Sequence, residues 1–474
     1  MMGIQPLVLW TDLLLFGLLG CMALAAWSAR GSEPMRAAWR RVGESGVGMT
    51  ALSLLMLFLT VGVLDSLHYR ERLAPTAGGP AAADARAQLS TEVRSALDAL
   101  AAPLRTRVEK TYSAPLAYQL FSRQTVEGPD GIQRREFPRL KFGGASVKYP
   151  EEDLSGDIVG RIGMGLAMAA VTWAVFAAVL VKGVAVSRRV PVGAAWRAIW
   201  RGKGGLAWRA VLATLGVMCL LIGPLAALAT EYHVFGTDKV GQDVLFLTLK
   251  SIRTALVIGT LTTLVTLPLA VVLGILAGYV GGWVDDAIQY IYTVLNSIPS
   301  VLLIAAAVLM MQVVIDTHPQ WFETAAERAD ARLLALCVIL GMTSWTSLCR
   351  LLRGETLKLR ELEYVQAARA FGVSTTRILA RHVLPNLMHL VLIALVMDFS
   401  GLVLAEAVLS YVGIGVDPGT VSFGTMINAA RMELAREPMV WWSLVAAFIF
   451  MFVLVLAANL FADAVRDAFD PRAS

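Results

Sequence analysis

Apolar blocks long enough to cross a lipid bilayer constrain this chain more than any other feature. They run for roughly 18 to 25 residues, and about 20 residues of helix span about 30 Å of hydrocarbon. Such blocks must be helical, because a bilayer core offers the backbone no water as a hydrogen-bond partner. Hydrophobic residues make up 57% of the 474 positions and charged residues only 16%. The sequence therefore predicts an all-α polytopic membrane protein and excludes an ordinary soluble enzyme.

The blocks predict nine transmembrane helices, at about 7–29, 47–67, 160–181, 210–230, 255–279, 287–314, 332–350, 388–410 and 441–463. Arginine and lysine are concentrated after the first, third and seventh of them, and the positive-inside rule places those loops in the cytoplasm. The N-terminus is then expected outside and the C-terminus inside. The N-terminus lacks the basic n-region of a cleavable signal peptide, so the first block is expected to be a retained span.

Charge and cysteine usage exclude further classes. The net charge of +5 is accounted for by the basic cytoplasmic loops, so no nucleic-acid partner is expected. Neither the 4 cysteines nor the 5 histidines have the spacing of metal ligands. The chain has no phosphate-binding loop, nucleophile elbow or paired catalytic carboxylates. We therefore expect no catalytic residue, and no metal or cofactor bound by this chain.

One cytoplasmic loop, at 361–387, has a distinctive pattern: after Arg360 the chain reads ELEYVQAARAFGVSTTRILARHVLPNL. The segment from Leu362 to Phe371 is rich in helix formers, and Gly372 is suited to end that helix in a left-handed conformation. Ser374 is then placed to cap a second short helix, and Pro385 fits the first turn of the next span.

The residues at one face of the first helix are small or apolar: Leu362, Val365, Ala368 and Gly372. Such a face, with arginines beside it and spans on both sides, suits a loop that transmits force from a soluble partner. An amphipathic helix lying on anionic lipid has similar features and is the alternative.

The loop resembles the EAA loop of the inner-membrane permeases of bacterial binding-protein-dependent ABC importers, whose pattern is E-A-A-x3-G-x9-I-x-L-P. The matching positions are Gln366, Ala367, Ala368, Gly372, His382, Leu384 and Pro385. Gln366 replaces the acidic residue and His382 the aliphatic one. The second departure, followed by Asn386, resembles the HxLPN of the dipeptide/oligopeptide/nickel branch.

The resemblance extends over roughly residues 205–472. The segment HVFGTDKVGQDVLF is similar to the branch's HxxGTDxxGRDV pattern, with Gln242 in place of its arginine, and DAVRDAFDPR is similar to its C-terminal DxLRDxLDPR. The chain is thereby identified as a C-type permease of that branch, with the six-span fold of type I importers.

The apolar blocks, the loop charges and the resemblance, which covers only the last of them, together predict four domains. Residues 1–67 hold two N-terminal spans with a basic cytoplasmic loop, and residues 160–209 hold a third span and a basic cytoplasmic linker. Residues 210–474 form the six-span permease domain, with its coupling loop at 361–387. Residues 68–159 mix helix-compatible and strand-like stretches, which indicates a small periplasmic α/β domain. A solvated tether is the alternative for that segment, and bracing of the complex, or a docking or lid role, is considered for it.

The implied partners are a second permease subunit, two ATPase subunits that bind ATP and magnesium, and a periplasmic substrate-binding protein. The expected function is import of di- and oligopeptides across the inner membrane, driven through residues 363–385. A nickel or other small-solute permease, and a non-transporting scaffold or sensor, remain alternatives.

Two acidic residues in the eighth block, Asp398 and Glu406, lie about two helical turns apart. An ionisable group inside a span is costly and often functional, so both are candidates for a polar translocation path. The structural alternative for Glu406 is a hydrogen bond to neighbouring backbone.

Overall fold

The structure, a computed structural model, describes residues 4–29, 31, 33–72, 89–127, 133–202 and 205–469. Its helices are α1 (Trp10–Ala29), α2 (Glu33–Glu44), α3 (Gly46–Ser66), α4 (Ala96–Leu100), α5 (Ala102–Thr106), α6 (Pro150–Arg188), α7 (Val192–Trp200), α8 (Trp208–Ala229), α9 (Val244–Val280), α10 (Gly282–Ser297), α11 (Ser300–Thr317), α12 (Ala325–Ser344), α13 (Thr346–Arg360), α14 (Glu363–Ala370), α15 (Thr375–Ile378), α16 (Leu384–Val412), α17 (Phe423–Glu433) and α18 (Trp442–Phe469). A 3₁₀ turn lies at Pro319–Trp321 and a π-helical turn at Leu379–Val383. The strands are β1 (Ile4–Leu7), β2 (His68–Arg72), β3 (Leu89–Ser95), β4 (Gln124–Glu127) and β5 (Gln133–Glu136).

The predicted multi-span helical fold is confirmed. Within the described residues, seven helices are long and apolar enough to cross a membrane, or eight when α12 and α13, bent by 40°, count as one span. By the same measure the apolar part of α1, Trp10–Leu24, is a shorter helix. Helix is present at all nine predicted positions.

The prediction of one continuous helix at 287–314 is wrong. The chain breaks between α10 and α11 because Pro299 follows Ile298, whose backbone is extended at φ −95° and ψ 131°. A residue before proline is driven out of the helical region by a clash with the proline ring. The predicted start of a helix at residue 255 is also wrong, since α9 begins at Val244.

The contacts divide the chain into two compact units. The first contains the described residues of Met1–Leu7, Pro34–Thr254 and Val421–Ala464. The second contains those of Val8–Glu33, Ala255–Thr420 and Val465–Ser474. In the first unit α8 packs with α3 and α6, although the sequence assigned it to the last six spans. The division into four domains therefore remains a prediction from the sequence.

In the first unit, α6 and α8 approach closely because glycines face each other. A Cβ on Gly223 would lie 2.5 Å from the carbonyl oxygen of Gly165. The indole of Trp173 on α6 donates a hydrogen bond of 2.9 Å to the carbonyl of Leu212 on α8. Small residues that let helix backbones approach are a common means of packing spans in lipid.

Residues 68–159, named here the 68–159 domain, are folded in their described part. Strand β2 pairs antiparallel with β3, and also with β1 from the N-terminus, in the order β1-β2-β3. Strands β4 and β5 form an antiparallel hairpin. Helix α4 begins with a capping box in which Ser95 and Asp98 bond each other's backbone N–H. The described residues therefore form the predicted α/β structure rather than a tether.

In the second unit, the first span packs on the core. The backbone N–H of Thr11 in α1 donates to a carboxylate oxygen of Asp330 in α12 at 3.1 Å, and the Thr11 hydroxyl donates to the other oxygen. Leu15 is 2% exposed and packs in a cluster with Leu333 and Leu336 of α12. An N-terminal carboxylate partner of this kind also complements the helix dipole.

Candidate functional site

Helix α14 of the loop at 361–387 ends in the geometry that the sequence predicted. Gly372 has a φ of +72°. Its N–H donates to the carbonyl of Arg369 at 3.0 Å, and the N–H of Val373 donates to the carbonyl of Ala368 at 3.1 Å. These two bonds form a Schellman motif, which satisfies the last carbonyls of the helix. Ser374 precedes α15, but its hydroxyl makes no capping hydrogen bond, so that part of the prediction is wrong.

The inner face of the loop is packed into the core of the second unit. Val365, Ile378, Val383 and Leu387 are each no more than 1% exposed, in a cluster with Trp345, Leu348, Cys349 and Leu352 of the α13 region. Ala368 packs half-buried against the same cluster. The loop is thereby held against the spans over its whole length.

The predicted single stripe along α14 is wrong, because the structure divides its residues between two faces. Val365 is buried, whereas Leu362 is 42% exposed and Gly372 lies in open space. The exposed face also carries Tyr364, and Phe371 at its end is 87% exposed. The structure thus leaves two aromatic side chains, Tyr364 and Phe371, on the solvent side of α14.

The remaining predicted loop residues lie at the two ends of the exposed face. The side-chain amide of Gln366 donates to the carbonyl and to a carboxylate oxygen of Glu361, both at 3.2 Å. The ring of His382 lies 6.0 Å from that of Tyr364. Asn386 donates to the Tyr364 hydroxyl at 3.2 Å and to the His382 carbonyl at 2.6 Å.

The segment that contains Pro385 continues the helix that begins at Thr375. Helix α15, the π-helical turn and α16 run without a break from Thr375 to Val412. Leu384 is half-buried and packs on the core, and Pro385 lies exposed in the first turn of α16. The structure therefore brings Gln366, Ala367, Ala368, Gly372, His382, Leu384 and Pro385 together in one loop.

Sequence reasoning missed an ion pair at the base of this loop. Arg353 of α13 donates two hydrogen bonds of 2.6 Å to the two carboxylate oxygens of Asp285 in α10. The guanidinium holds the pKa of the Asp285 carboxyl below its ordinary value. The two residues are 68 positions apart, so no local spacing indicates the pair.

The two predicted path residues differ in their surroundings. Glu406 is 1% exposed and accepts a hydrogen bond of 2.7 Å from the Ser410 hydroxyl, which in turn accepts one from the N–H of Val416. Asp398 is half-buried on the same helix. Within the described part of the chain it forms no hydrogen bond or ion pair. The structure therefore gives Glu406 a local bonding role that Asp398 lacks.

Comparisons with known proteins decide the family. Residues 270–474 match the family described as "Binding-protein-dependent transport system inner membrane component". The chain is 34% identical over 239 residues to an oligopeptide transport system permease protein OppC of Mycobacterium bovis, covering 50% of this chain and 76% of that one. The chain belongs to this permease family.

Two other relatives have related names. A dipeptide transport system permease protein DppC of Lactococcus lactis is 32% identical, over 52% of this chain and 65% of that one. A glutathione transport system permease protein GsiD of Pectobacterium atrosepticum is 32% identical, over 51% and 73%. A chain of a solved methionine ABC transporter in inward-facing conformations matches with a TM-score of 0.37 and 15% identity, over 48% of this chain and 98% of that one. At that score the likeness carries no argument.

A buried polar centre, separate from the loop at 361–387, lies where the 68–159 domain meets the loop before α9. His233 bonds Asp243 through Nδ1 at 2.8 Å, and its Nε2 lies 3.6 Å from a carboxylate oxygen of Glu109. The Glu109 carboxylate also accepts three backbone N–H groups, from Lys141, Phe142 and Gly143, at 2.7 to 3.1 Å. Sequence reasoning found His233 and Asp243 in a family motif but had no signal for Glu109.

The charged groups of this centre strongly shift one another's pKa values. Burial lowers the pKa of His233, but the carboxylates of Asp243 and Glu109 outweigh it and raise the pKa to about 9. Burial raises the pKa of Glu109, but the nearby His233 ring and the three backbone N–H groups that donate to its carboxylate lower it to about 2. His233 is therefore a cation held between two carboxylates.

The backbones approach so closely here that one glycine is required. Gly241 has a φ of +79°, and a Cβ there would lie 1.9 Å from the Glu109 carbonyl oxygen. The Glu109 N–H donates to the Gly241 carbonyl at 2.9 Å. Among the residues that the structure describes, no group of three or more His, Cys, Asp or Glu is placed to hold a metal ion. The centre is thus a polar joint.

The joint predicts a pH dependence of stability. The pKa of His233 in the folded protein, about 9, lies above its ordinary 6.5. Its contribution to the free energy of unfolding is therefore complete below pH 6.5 and is lost as pH rises through 9. Each unit of pKa difference corresponds to about 1.4 kcal/mol. We expect the melting temperature of the purified permease, measured by differential scanning fluorimetry, to fall between pH 6.5 and 9.5.

The variant His233→Gln should lose most of that slope, whereas His318→Gln, which lies outside the joint, should keep it. Equal slopes in wild type and His233→Gln would show that the joint does not contribute.

Proposed function

We propose that this chain is one membrane subunit of an ABC importer that moves di- and oligopeptides across the bacterial inner membrane. A second permease subunit, two ATPase subunits and a periplasmic binding protein complete the assembly. The ATPases supply the ATP and magnesium sites. The chain's N-terminus is periplasmic and its C-terminus cytoplasmic. The names of its peptide-transporting relatives support this substrate class.

The observation that carries the proposal is the construction of the loop at 361–387. Its outer face leaves Tyr364 and Phe371 exposed, and the buried side chains of its inner face, Val365, Ile378, Val383 and Leu387, pack in one cluster with residues of α13. The helix from Thr375 to Val412 is continuous. Because packed interiors resist compression, movement of the partner against Phe371 is passed to α16 as movement of a rigid rod.

Gly372 provides the first test. A Cβ at this position meets no atom within 4 Å, so a side chain is limited only by the positive φ, a cost of about 1 to 2 kcal/mol. Gly372→Glu places a charge and bulk on the partner face. We expect it to abolish uptake of radiolabelled peptide in a deletion strain while the permease still inserts in the membrane.

Gly372→Ala is the matched control, because it carries the same backbone strain without bulk or charge. It should retain at least half of wild-type uptake. Full uptake by Gly372→Glu would contradict the coupling role.

Phe371 provides the second test. Phe371→Ala removes the exposed ring, and the core gains no cavity because the ring is not buried. We expect the amount of ATPase that copurifies with the permease to fall by about tenfold, equivalent to about 1.4 kcal/mol. Trp321→Ala removes another exposed aromatic, from the loop between α11 and α12, and should leave copurification unchanged. Equal losses in both variants would point to a general defect.

The third test separates the two acids of α16. Asp398 has no bonding partner within the described residues, which supports its assignment to the translocation path. Glu406, bonded to Ser410, is assigned to structure. We expect Asp398→Asn to reduce peptide uptake at least tenfold with normal thermal stability, and Glu406→Gln to lower the melting temperature. Uptake that is unaffected by Asp398→Asn would remove this residue from the path.

A further inference from the structure

A groove of about 440 Å³ lies on the 68–159 domain, between the segment that follows α5 and the β4–β5 hairpin. Pockets for small molecules usually have volumes of about 300 to 1,000 Å³, so a peptide of two or three residues fits its size. The apolar part of its lining, named here the apolar wall, consists of Val108, Leu120 and Pro138. Leu120 is only 5% exposed, which gives that wall a firm base.

The remaining lining residues are polar, and three of them are cations alongside Glu109, Gln124 and Thr125. The cations are Lys110, Arg139 and Lys141, and none of them forms an ion pair within the described part of the chain. The ammonium of Lys110 donates to the side chain of Gln124 at 2.7 Å, and that of Lys141 lies 4.9 Å from the centre of the Phe142 ring. Both lysines are exposed and keep donors for a ligand.

The acidic residue in the lining does not neutralise these cations. Glu109 is 6% exposed, and its carboxylate oxygens are occupied by the backbone N–H groups of Lys141, Phe142 and Gly143 and face His233. Arg139 also lines the groove, and its guanidinium is fixed because it donates to the carbonyls of Gly144 and Val147. The groove therefore combines net positive charge with a fixed framework.

We propose that this groove binds the C-terminal carboxylate of a short peptide. Lys110 and Lys141 hold the carboxylate, and the wall of Val108, Leu120 and Pro138 receives the adjoining side chain. A small inorganic anion needs the charges but gains nothing from the apolar wall, which favours a peptide end. The inference rests on the proposed function, because it takes peptide as the substrate class.

The position of the groove gives such binding a purpose. Glu109 belongs both to its lining and to the joint with His233, and the N–H of Lys141 is one of the Glu109 donors. A peptide held there lies on the same backbone that fixes the loop 233–243. The 68–159 domain is thus a place where the peptide is held outside the spans.

Isothermal titration of the purified full chain in nanodiscs, at fixed ionic strength, tests the proposal. Trialanine is compared with its C-terminal amide, which keeps the side chains and loses the negative charge. We expect the amide to bind at least tenfold more weakly than the free acid. We expect the double variant Lys110→Gln/Lys141→Gln to lose at least tenfold in affinity for the free acid and to show little difference between the two peptides.

The control Arg135→Gln/Lys148→Gln removes the same charge from exposed positions of the domain that do not line the groove. It should bind trialanine as the wild type does. Equal affinity for acid and amide, an unchanged affinity in the lysine variant, or displacement of trialanine by equimolar sodium phosphate would overturn the proposal.

Binding is measured without transport, so the two proposals fail separately. Carboxylate-dependent binding by a chain that supports no peptide uptake would support the groove and contradict the proposed function. Normal uptake with no carboxylate-dependent binding would contradict the groove alone.

Discussion

Polar groups that border the hydrocarbon and do not line a water-filled path must find partners within the protein, because the bilayer core supplies no water. Lys250 shows how strongly this governs the first unit. It lies in the second turn of α9, and its ammonium is 2.8 Å from a carboxylate oxygen of Asp65 in α3 and 2.9 Å from one of Asp98 in α4. Its helix begins at Val244 and not at 255 as the apolar pattern predicted, and the carboxylate of the preceding Asp243 accepts the N–H groups of Leu245 and Phe246. One charge thus connects two spans and the 68–159 domain.

The loop at 361–387 depends on the opposite principle, the burial of apolar side chains. Its fixed position comes from Val365, Ile378 and Val383, each almost completely buried, and burial of a side chain of this size contributes about 1.5 to 3 kcal/mol. The Schellman turn at Gly372 then sets the direction between α14 and α15. A partner that grips the exposed face acts on a body that is continuous with a span, which is the mechanical requirement for coupling.

The 68–159 domain is fastened to the permease segments of the first unit by several kinds of contact. Ser113 exchanges backbone and side-chain bonds with Thr237, whose carbonyl accepts the Trp442 indole N–H at 2.9 Å. Tyr112 donates to Glu433 at 3.2 Å. The bonds of Ser113 and Tyr112 join the domain to the loop before α9 and to the end of α17, and they support a bracing role. The groove on the same domain is the surface for which peptide binding is proposed.

The sequence by itself determined what depends on neighbours along the chain. Apolar blocks gave the positions of the spans, and the family motif located the loop and its turn at Gly372. The break before Pro299 was also a local signal, but the length of the apolar run concealed it. The stripe on α14 failed because helical periodicity shows which residues share a face and does not show which neighbour covers each of them.

Only the tertiary structure decided which distant residues meet. Asp285 and Arg353 are 68 positions apart, and Glu109 and the His233 loop lie in different parts of the chain. Such pairs arise when separate helices and the 68–159 domain are brought side by side, and the strength of a charge pair depends on distance and burial that no residue spacing encodes. The groove has the same origin, since its lysines come from segments on either side of the β4–β5 hairpin and face one space only after folding.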